Sequence, residues 1–358
     1  MLPTANMGYQ RSLRGQACQL AAGLAVPVVV AMAAAGCGSE AHPEHSSGHD
    51  ALDRFLADIP TQVVDLDCCA AEIALPLRVV GSDGRDPFLG AAKSVDIEGD
   101  SLLLADYRQN VVVWAHRDDA HLARAFGRPG RGPGEFGRVE SAVVEAGHLF
   151  VADPEAGGIH AFGPDGAFLE TLRVETPLWY SVAAGGGMLA HGGSEALVDV
   201  RAAEPPFAIS GSLLPRLDGI PHSPVLSVSD QGEMVVAYYG LPVLFVVDRD
   251  LTIRRAISLK SAAFEQRLER SDPSRTYTLF FGLALSAGGE IAVSTPEGTY
   301  VLTPFEEAYT VRRHLDLRLG PDSEDTFVPF GMRFDADLGG FWAVSRSSSE
   351  VYLFGAEP

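Results

Sequence analysis

Short apolar runs separated by turns recur along most of the chain. In each unit two apolar strands flank a tight turn that contains glycine, as they do over residues 94–106. The turn glycines recur at intervals of 39 to 57 residues and are Gly99, Gly147, Gly186, Gly232, Gly289 and Gly340. Glycine suits such a turn because a short hairpin needs a positive φ angle, which glycine adopts without strain. The pattern therefore predicts a series of six β-hairpins.

A third apolar strand follows every hairpin, and a fourth follows in the first five units. Four short strands in units of about 40 to 50 residues are typical of the blades of a β-propeller. The last unit lacks its fourth strand, but residues 73–80, ahead of the first unit, have a suitable apolar pattern. Pro76 restricts that segment to an edge position because proline has no N–H. We therefore expect an all-β, six-bladed β-propeller over residues 62–358, with the last blade closed by an N-terminal strand.

One glycine-rich segment identifies a more specific resemblance. Residues 126–136 read Phe-Gly-Arg-Pro-Gly-Arg-Gly-Pro-Gly-Glu-Phe, and the repeat around them closely resembles an NHL-type repeat. The Gly-Arg-Gly-Pro-Gly-Glu-Phe part resembles the hallmark of secreted six-bladed propeller lipoproteins of bacteria. The resemblance is sharp over residues 94–172 and is limited to the strand pattern beyond them. It implies a fold and an exported location, but no single activity.

The first 36 residues have the pattern of an export signal. Arg11 and Arg14 precede an apolar run over residues 20–36 that ends in small residues. Residues 34–37, Ala-Ala-Gly-Cys, resemble a bacterial lipobox, with alanine at the position where leucine is usual. We expect residues 1–36 to be a lipoprotein signal peptide and Cys37 to be lipidated. Ordinary signal-peptidase cleavage and an uncleaved anchor are the alternatives.

The resemblance to lipoproteins also implies a location in the cell. Gly38, the residue after the lipidated cysteine, resembles the outer-membrane sorting class, so we expect the outer membrane or the periplasmic face. Residues 37–61 are polar and are predicted to be a flexible tether. Three histidines of this segment, His42, His45 and His49, are interpreted as part of a solvated linker in preference to a metal site.

Composition excludes several classes of protein. The chain has 27 lysines and arginines against 47 acidic residues, a net charge of −20, which argues against nucleic-acid binding. Four cysteines in 358 residues do not make a disulfide-dense scaffold. Cys68 and Cys69 are adjacent and could close only a strained ring with each other, so pairing with another chain and staying reduced and buried are the competing interpretations. A buried pair on the entry strand is favoured over a redox or metal role.

Candidate binding residues come from the loops that lead into the first strands and those that join the second and third strands. Aromatic and arginine side chains there suit stacking and the recognition of carboxylates. The predicted binding residues are Arg108, Arg131, Trp179, Tyr180, His191, His222, Tyr238, Tyr239 and Arg346. Asp106 and Asp153 are interpreted as turn-capping residues. A short helix predicted within residues 261–277 is either a lid or a solvated insertion.

No complete catalytic set is visible, and no catalytic or metal-ligating residue is predicted. We expect a monomeric binding module that takes an unidentified protein or small ligand at its loops, meets the membrane through its lipid, and needs no cofactor. The alternative is a metal-dependent hydrolase or lyase of NHL-propeller type with zinc or calcium. His191 and His222 would supply two ligands for it, but catalytic zinc needs three and no third histidine lies on a suitable loop.

Overall fold

The structure is a computed structural model of the 358-residue chain. It describes residues 48–81, 89–118, 122–173, 182–185, 188–191, 196–199, 208–212, 224–238, 240–250, 252–269, 278–345 and 347–356. The described residues belong to one compact unit, Ser46–Pro358. They contain two α-helices, α1 (Gly48–Leu56) and α2 (Ala262–Glu269), and one 3-10 helix, Leu66–Cys68.

Strands make up most of the described residues. In chain order they are β1 (Thr61–Asp65), β2 (Glu72–Ala74), β3 (Arg78–Gly81), β4 (Ala92–Glu98), β5 (Ser101–Asp106), β6 (Val111–His116), β7 (Leu122–Phe126), β8 (Ser141–Glu145), β9 (His148–Asp153), β10 (Gly158–Phe162), β11 (Phe168–Arg173), β12 (Val182–Gly185), β13 (Met188–His191), β14 (Ala196–Asp199), β15 (Ala208–Ser212), β16 (Pro224–Val228), β17 (Met234–Tyr238), β18 (Val243–Val247), β19 (Ile253–Lys260), β20 (Gly282–Leu285), β21 (Ile291–Thr295), β22 (Gly298–Phe305), β23 (Ala308–Leu317), β24 (Gly331–Asp335), β25 (Gly340–Val344) and β26 (Glu350–Gly355).

These strands form six sheets among the described residues. Sheet 1 holds β4–β7, sheet 2 holds β8–β11, and sheet 3 holds β12–β15; sheet 4 holds β16–β19 with β1, sheet 5 holds β20–β23 with β2, and sheet 6 holds β24–β26 with β3. The first strands β4, β8, β12, β16, β20 and β24 contact one another in that order, and β24 contacts β4. Antiparallel sheets arranged around a closed ring of first strands are the architecture of an all-β propeller.

The core lies between neighbouring sheets. Trp342 of β25 is fully buried in a cluster that joins sheet 6 to sheet 1 and contains Leu104 and Val113. A matching cluster joins sheets 1 and 2 around Phe136 and Phe162. Burying each such side chain contributes about 1.5–3 kcal/mol, so the packing between sheets stabilises the ring.

Positive φ angles occur at the predicted hairpin turns. Gly99, Gly147, Gly232 and Gly289 have φ angles between 56° and 81°. The prediction is wrong for the last hairpin, where Gly339 has a φ of 61° and Gly340 is the first residue of β25. Two adjacent glycines made the position of that turn ambiguous in the sequence. Gly186 lies outside the described residues.

An N-terminal strand completes sheet 6, but it is shorter than predicted. Only β3 pairs with β26, with Val80 opposite Val351, whereas β2 pairs in parallel with β23 of sheet 5. Pro76 lies between the two strands and belongs to neither. Proline cannot donate to a ladder, so the apolar run of residues 73–80 is divided between two sheets at this residue.

The prediction of a flexible tether over residues 37–61 needs correction for its second half. Helix α1 lies within it, and Leu52 is buried in a cluster with residues of sheet 4. Phe55 of the same helix meets Phe245 edge to face at 5.8 Å. The apolar positions of a single short helix were too few to identify this packing among polar neighbours. The remainder of the predicted tether, including the three histidines, lies largely outside the described side chains.

The short helix predicted after sheet 4 is present as α2. Ser261 Oγ accepts from the amide of Phe264 at 3.0 Å, the usual bond of an N-cap. Phe264 is 1% exposed and contacts Phe280 edge to face. Arg267 forms an ion pair with Glu297 at 2.8 Å. Helix α2 is therefore packed against sheet 5 through its apolar side.

Candidate functional site

The loops that enter the first strands and those that join the second and third strands lie on one face of the ring, here called the loop face. Four sheets have an Asp, Thr or Ser that caps the turn after the second strand: Asp106, Asp153 and Thr295 end their strands, and Ser345 directly follows β25. Each of their side-chain oxygens accepts from the amide two residues later, at 3.0, 3.0, 3.1 and 3.4 Å respectively. Side chains of this kind commonly hold turns in this way. The same kind of turn cap therefore recurs in four sheets on the loop face.

Asp106 extends this role to the neighbouring loop. Its carboxylate also accepts from the amides of Gly90 at 2.5 Å and Ala91 at 3.3 Å, which lie in the segment that leads into β4. The side chain of Gln109 donates to it at 2.9 Å. One buried carboxylate therefore holds two loops of sheet 1 together.

Asp153 does the same for sheet 2. It accepts from the amides of Gly137 at 2.7 Å and Arg138 at 3.1 Å, in the segment that leads into β8. Burial alone would raise the pKa of the Asp153 carboxyl, but hydrogen bonds from His160 and from the amides of Ala156, Gly137 and Arg138 lower the pKa below its ordinary value. The interpretation of Asp106 and Asp153 as turn-capping residues is confirmed.

The glycine-rich segment is closed by Glu135. Its Oε2 accepts from the amides of Arg131 at 3.0 Å and Gly132 at 2.9 Å, and its Oε1 accepts from Arg128 Nε at 2.9 Å. The amide of Gly132 and the guanidinium of Arg128 lower the pKa of the Glu135 carboxyl. A Cβ atom at Gly130 would lie 2.1 Å from Glu135 Oε2, so the residue has to be glycine for this bond network to form. Residues 127–136 therefore form a loop that is held by its own hydrogen bonds, here called the loop clamp.

Phe136, the last residue of the motif, fixes the clamp to the core. Its ring is fully buried and lies 5.8 Å from the ring of Phe162 and 6.4 Å from that of Phe126. Gly127 has a φ of 80°, and a Cβ atom there would lie 2.1 Å from the Phe136 ring. Gly127, Gly130, Glu135 and Phe136 therefore have structural roles in the motif, and the exposed Arg131 side chain is not used in its hydrogen bonds.

Arg108 lies in the β5–β6 turn and Arg131 in the glycine-rich segment, two loops that we treat as one sector of the loop face. Both are exposed, and within the described ranges neither guanidinium forms an ion pair. Asn110 Oδ1 accepts from the amide of Val139 at 3.3 Å, which joins the β5–β6 turn of Arg108 to the segment between sheets 1 and 2. Because the surrounding carboxylates Asp106, Asp153 and Glu135 already accept several bonds, these two cations are available to an outside group.

A charged group lies next to this sector, at the start of the innermost strands. Lys93 pairs with Glu140, and Arg138 Nε lies 2.9 Å from the other carboxylate oxygen of Glu140. Glu140 is 4% exposed, whereas the Arg138 side chain is 35% exposed. A β-bulge at Lys93 displaces it from the regular pairing of β4 and β5. Sequence reasoning missed this group; the available signal was a lysine among apolar residues at the start of a predicted first strand.

Aromatic residues of the loop face have two different environments. Phe281 and Phe330 precede β20 and β24, are half-buried, and have ring centroids 5.2 Å apart. Tyr238, a predicted binding residue, is only 3% exposed and meets Phe245 edge to face at 6.3 Å. Its ring therefore belongs to the core of sheet 4, because the end of β17 is covered by the side chains packed on it.

The structure describes few of the other predicted site residues. His191 is the last residue of β13 and pairs with Val182. Those outside the described residues are Cys37, Trp179, Tyr180, His222, Tyr239 and Arg346. Across the described ranges, no group of three or more potential metal-ligating side chains is found. No helix among the described residues is long and apolar enough to cross a membrane.

Beyond the loop face, a charged group here called the brace joins sheet 6 to its neighbour sheet 1 and to sheet 4, which is not its neighbour. Arg333 of β24 donates to the carbonyl oxygen of Val228 at 2.7 Å and to Asp230 at 2.8 Å, both of sheet 4 or its hairpin. Its Nε lies 3.3 Å from Asp96 Oδ1 of β4. Burial raises the pKa of the Asp96 carboxyl, against the opposing effects of Arg333 and the amide of Val144. The brace links sheets 1, 4 and 6.

Comparison with known proteins gives the fold alone. No family model matches the chain, and no curated protein matches it. The solved structure of U3-55K is similar with a TM-score of 0.51 and 11% identity, over 78% of this chain and 98% of that chain. A chain of the mitotic checkpoint complex is similar with a TM-score of 0.50 and 12% identity, over 82% of this chain and 97% of that chain. The Cps50 (Swd1) β-propeller domain of Myceliophteria thermophila has a TM-score of 0.47 and 13% identity, over 79% of this chain and 100% of that domain. Identities this low carry no statement about activity.

Proposed function

We propose that this protein is an exported, lipid-anchored propeller that binds a protein partner through its loop face. The sector of Arg108 and Arg131 is the centre of the proposed site, and it recognises a carboxylate of the partner. The observation that carries the proposal is that neighbouring carboxylates are engaged by backbone amides and by Arg128, while these two guanidinium groups are exposed. An exposed guanidinium recognises a carboxylate through two parallel hydrogen bonds.

Rigid loops support this proposal. The loops of the sector are held by Asp106, Asp153, Glu135 and Asn110, whose acceptors bond the backbone at 2.5–3.3 Å. A surface that is already ordered loses little conformational entropy when a partner binds, so more of the contact energy appears as affinity. Phe281 and Phe330 add an aromatic pair to the same face, suited to stacking against a partner.

The blade number belongs to the same proposal. We assign one blade to each of the six sheets, with β3 as the outer strand of the last blade and β1 and β2 as additional strands on the fourth and fifth. The succession of contacts among the six first strands supports this assignment. The Gly-Arg-Gly-Pro-Gly-Glu-Phe segment supports an NHL-like repeat within it.

Export and anchoring rest on the N-terminal sequence. We propose that residues 1–36 are removed as a lipoprotein signal peptide and that Cys37 carries the lipid, at the outer membrane or the periplasmic face. Growth of the producing bacterium with an alkyne-labelled fatty acid tests this. The full chain should take up the label and a Cys37→Ser variant should not. Labelling that persists in the variant would refute lipidation at this residue.

The binding proposal is tested with paired arginine variants. Membrane proteins captured by the full chain are quantified for the wild type, for an Arg108→Ala/Arg131→Ala variant, and for an Arg254→Ala/Arg312→Ala variant. The last pair makes the same change of charge on β19 and β23, where both arginines are already paired with acidic residues. Arginines at the centre of an interface contribute about 2 kcal/mol or more each, about 30-fold in affinity.

We expect the loop-face variant to lose its partner and the control variant to retain it. Equal recovery with both variants would contradict the proposed site. Melting temperatures of all three proteins should agree, because the substituted side chains are exposed or at the surface.

A further inference from the structure

The adjacent cysteines lie on the segment that connects two extra strands. Strand β1 runs parallel to β19 and β2 runs parallel to β23, so Cys68 and Cys69 lie between the attachments to sheets 4 and 5. The 3-10 helix ends at Cys68, and Cys69 is extended with φ −128° and ψ 135°. Successive side chains of an extended chain point to opposite sides, but this change of backbone direction brings the two sulfur atoms to 3.0 Å.

The pair is accessible from solvent. Cys68 is exposed and Cys69 is half-buried, so the favoured interpretation of a buried reduced pair is wrong for Cys68. We propose that Cys68 and Cys69 form a reversible oxidation site, at which a small-molecule disulfide converts the two thiols into a vicinal disulfide. This proposal is independent of the loop face and of export.

The reaction balances as a thiol–disulfide exchange. The Cys68 thiolate attacks one sulfur of a small disulfide RSSR, forms a mixed disulfide and releases RS⁻, which takes up the proton that Cys68 lost. The Cys69 thiolate then attacks the Cys68 sulfur, the bond to the second RS group breaks, and this group leaves as RSH with the proton from Cys69. The two cysteine sulfurs lose two electrons in total, and the small disulfide gains them.

Two distances bear on the intramolecular step: the first favours closure of the ring and the second strains the closed ring. A disulfide has an S–S bond of about 2.05 Å, so the sulfur atoms, now 3.0 Å apart, need to approach by about 1 Å. Sequence neighbours have Cα atoms about 3.8 Å apart, which is below the usual Cα separation of a disulfide. The closed ring is therefore strained, and strained disulfides are readily reduced. The geometry therefore favours a disulfide that forms and is reduced again over one that persists.

The surroundings set the pH dependence of the first step. Burial, the neighbouring Cys69 thiol and the charge of Asp65 raise the pKa of the Cys68 thiol to about 11. Other titratable groups near the pair are Asp67, which directly precedes Cys68, His314, whose Nδ1 lies 3.4 Å from the carbonyl oxygen of Cys69, and Tyr300, which stacks on His314. The charges of Glu297 and Asp67 act on Tyr300 as well. A raised thiol pKa means less thiolate at neutral pH, and the thiolate is the nucleophile. The oxidation rate should increase about tenfold per pH unit from neutral pH towards pH 11.

Peptide mapping of the full chain tests the proposal. The protein is incubated with oxidised glutathione, quenched with acid, alkylated with iodoacetamide and digested with trypsin. Residues 55–78 contain no internal lysine or arginine, so both cysteines fall in one tryptic peptide without Cys18 or Cys37. We expect this peptide to lose two hydrogen atoms and to take up no alkyl group. Excess reduced glutathione should then restore two alkylated cysteines.

Single variants provide the matched control. Cys68→Ser and Cys69→Ser each retain one thiol, so each should end as a mixed disulfide with glutathione. The proposal is overturned if the wild-type peptide stays doubly alkylated, carries two glutathione groups, or is linked to another cysteine. A closed disulfide that survives excess reduced glutathione would overturn its reversibility.

Discussion

Asp153 receives hydrogen bonds from four backbone amides, those of residues 137, 138, 155 and 156, at distances of 2.7–3.1 Å. The fold therefore stabilises its charged form. Asp153→Asn replaces one acceptor oxygen with an NH2 group that faces backbone donors. We expect a loss of about 1–3 kcal/mol in the free energy of unfolding at pH 7, measured by urea denaturation. Asp165→Asn, which changes the same charge in an exposed turn, should cost far less.

This cost should also depend on pH. The pKa of Asp153 is lower in the folded than in the unfolded chain, where it is about 3.9. The stabilisation by Asp153 is therefore fully present above about pH 4 and is lost as the pH falls through the folded-state pKa. The difference in unfolding free energy between wild type and Asp153→Asn should shrink below pH 4. A difference that stays constant down to pH 2 would show that charge is not its cause.

At the residue scale the sequence was informative where a pattern repeats. Asp106 and Asp153 end equivalent strands, so their role as caps was predictable from their repetition. Tyr238 ends an equivalent strand too, but whether a strand end is covered depends on the side chains that pack on it. Lys93 joins Glu140 and Arg138 at a β-bulge that takes it out of the β4–β5 register, and the spacing of residues does not predict a bulge.

At the scale of the element, Gly127 of the loop clamp can be compared with Gly99 of the β4–β5 turn. Gly127 and Gly99 both have positive φ angles, of 80° and 56°. A Cβ atom at Gly127 would lie 2.1 Å from the Phe136 ring, whereas nothing lies within 4 Å of one at Gly99. Gly99→Ala should cost only the conformational term, about 1–2 kcal/mol. Gly127→Ala should cost about 1–3 kcal/mol more, because the buried ring has to move.

Thermal unfolding of both variants measures this difference. The more destabilised variant should also lose the near-ultraviolet circular dichroism of the aromatic cluster around Phe136. Equal melting temperatures for the two variants would mean that backbone strain alone explains the glycine at position 127.

Element boundaries were less predictable than element types. The apolar run of residues 73–80 reads as one strand, but Pro76 divides it, and the two halves pair with different sheets. Helix α1 was not predicted, because its stability depends on Leu52 and Phe55 reaching a hydrophobic cluster of sheet 4 that is distant in sequence. Tertiary contacts decide both cases, and the local pattern does not contain them.

At the scale of the whole molecule, two features hold sheet 6 in the ring. Arg333 joins it to Asp96 of the neighbouring sheet 1 and, across the ring, to the carbonyl oxygen of Val228 in sheet 4. Strand β3, from the N-terminal side of the chain, completes its outer edge. The repeat pattern predicted that an N-terminal strand would close the last unit, since a ring removes the exposed edge strand. The brace was not predictable, because Arg333 and Asp96 are far apart in sequence and neither belongs to a motif.

Closure by β3 predicts opposite outcomes for two adjacent valines. Val80 is fully buried in the cluster between sheets 6 and 1, whereas Val79 lies on the other side of the strand and is 38% exposed. Val80→Asp would bury an unpaired carboxylate at the junction of the N-terminal and C-terminal parts, so it should lower the free energy of unfolding by at least about 3 kcal/mol. Val79→Asp introduces the same charge and the same loss of β-propensity at a partly solvated position and should cost about 1 kcal/mol or less. Urea denaturation followed by circular dichroism compares the two, and similar midpoints would contradict closure through this strand. If closure is cooperative, Val80→Asp should also make the Arg54–Phe55 bond, which neither substitution alters, susceptible to trypsin under native conditions, while Val79→Asp leaves it protected.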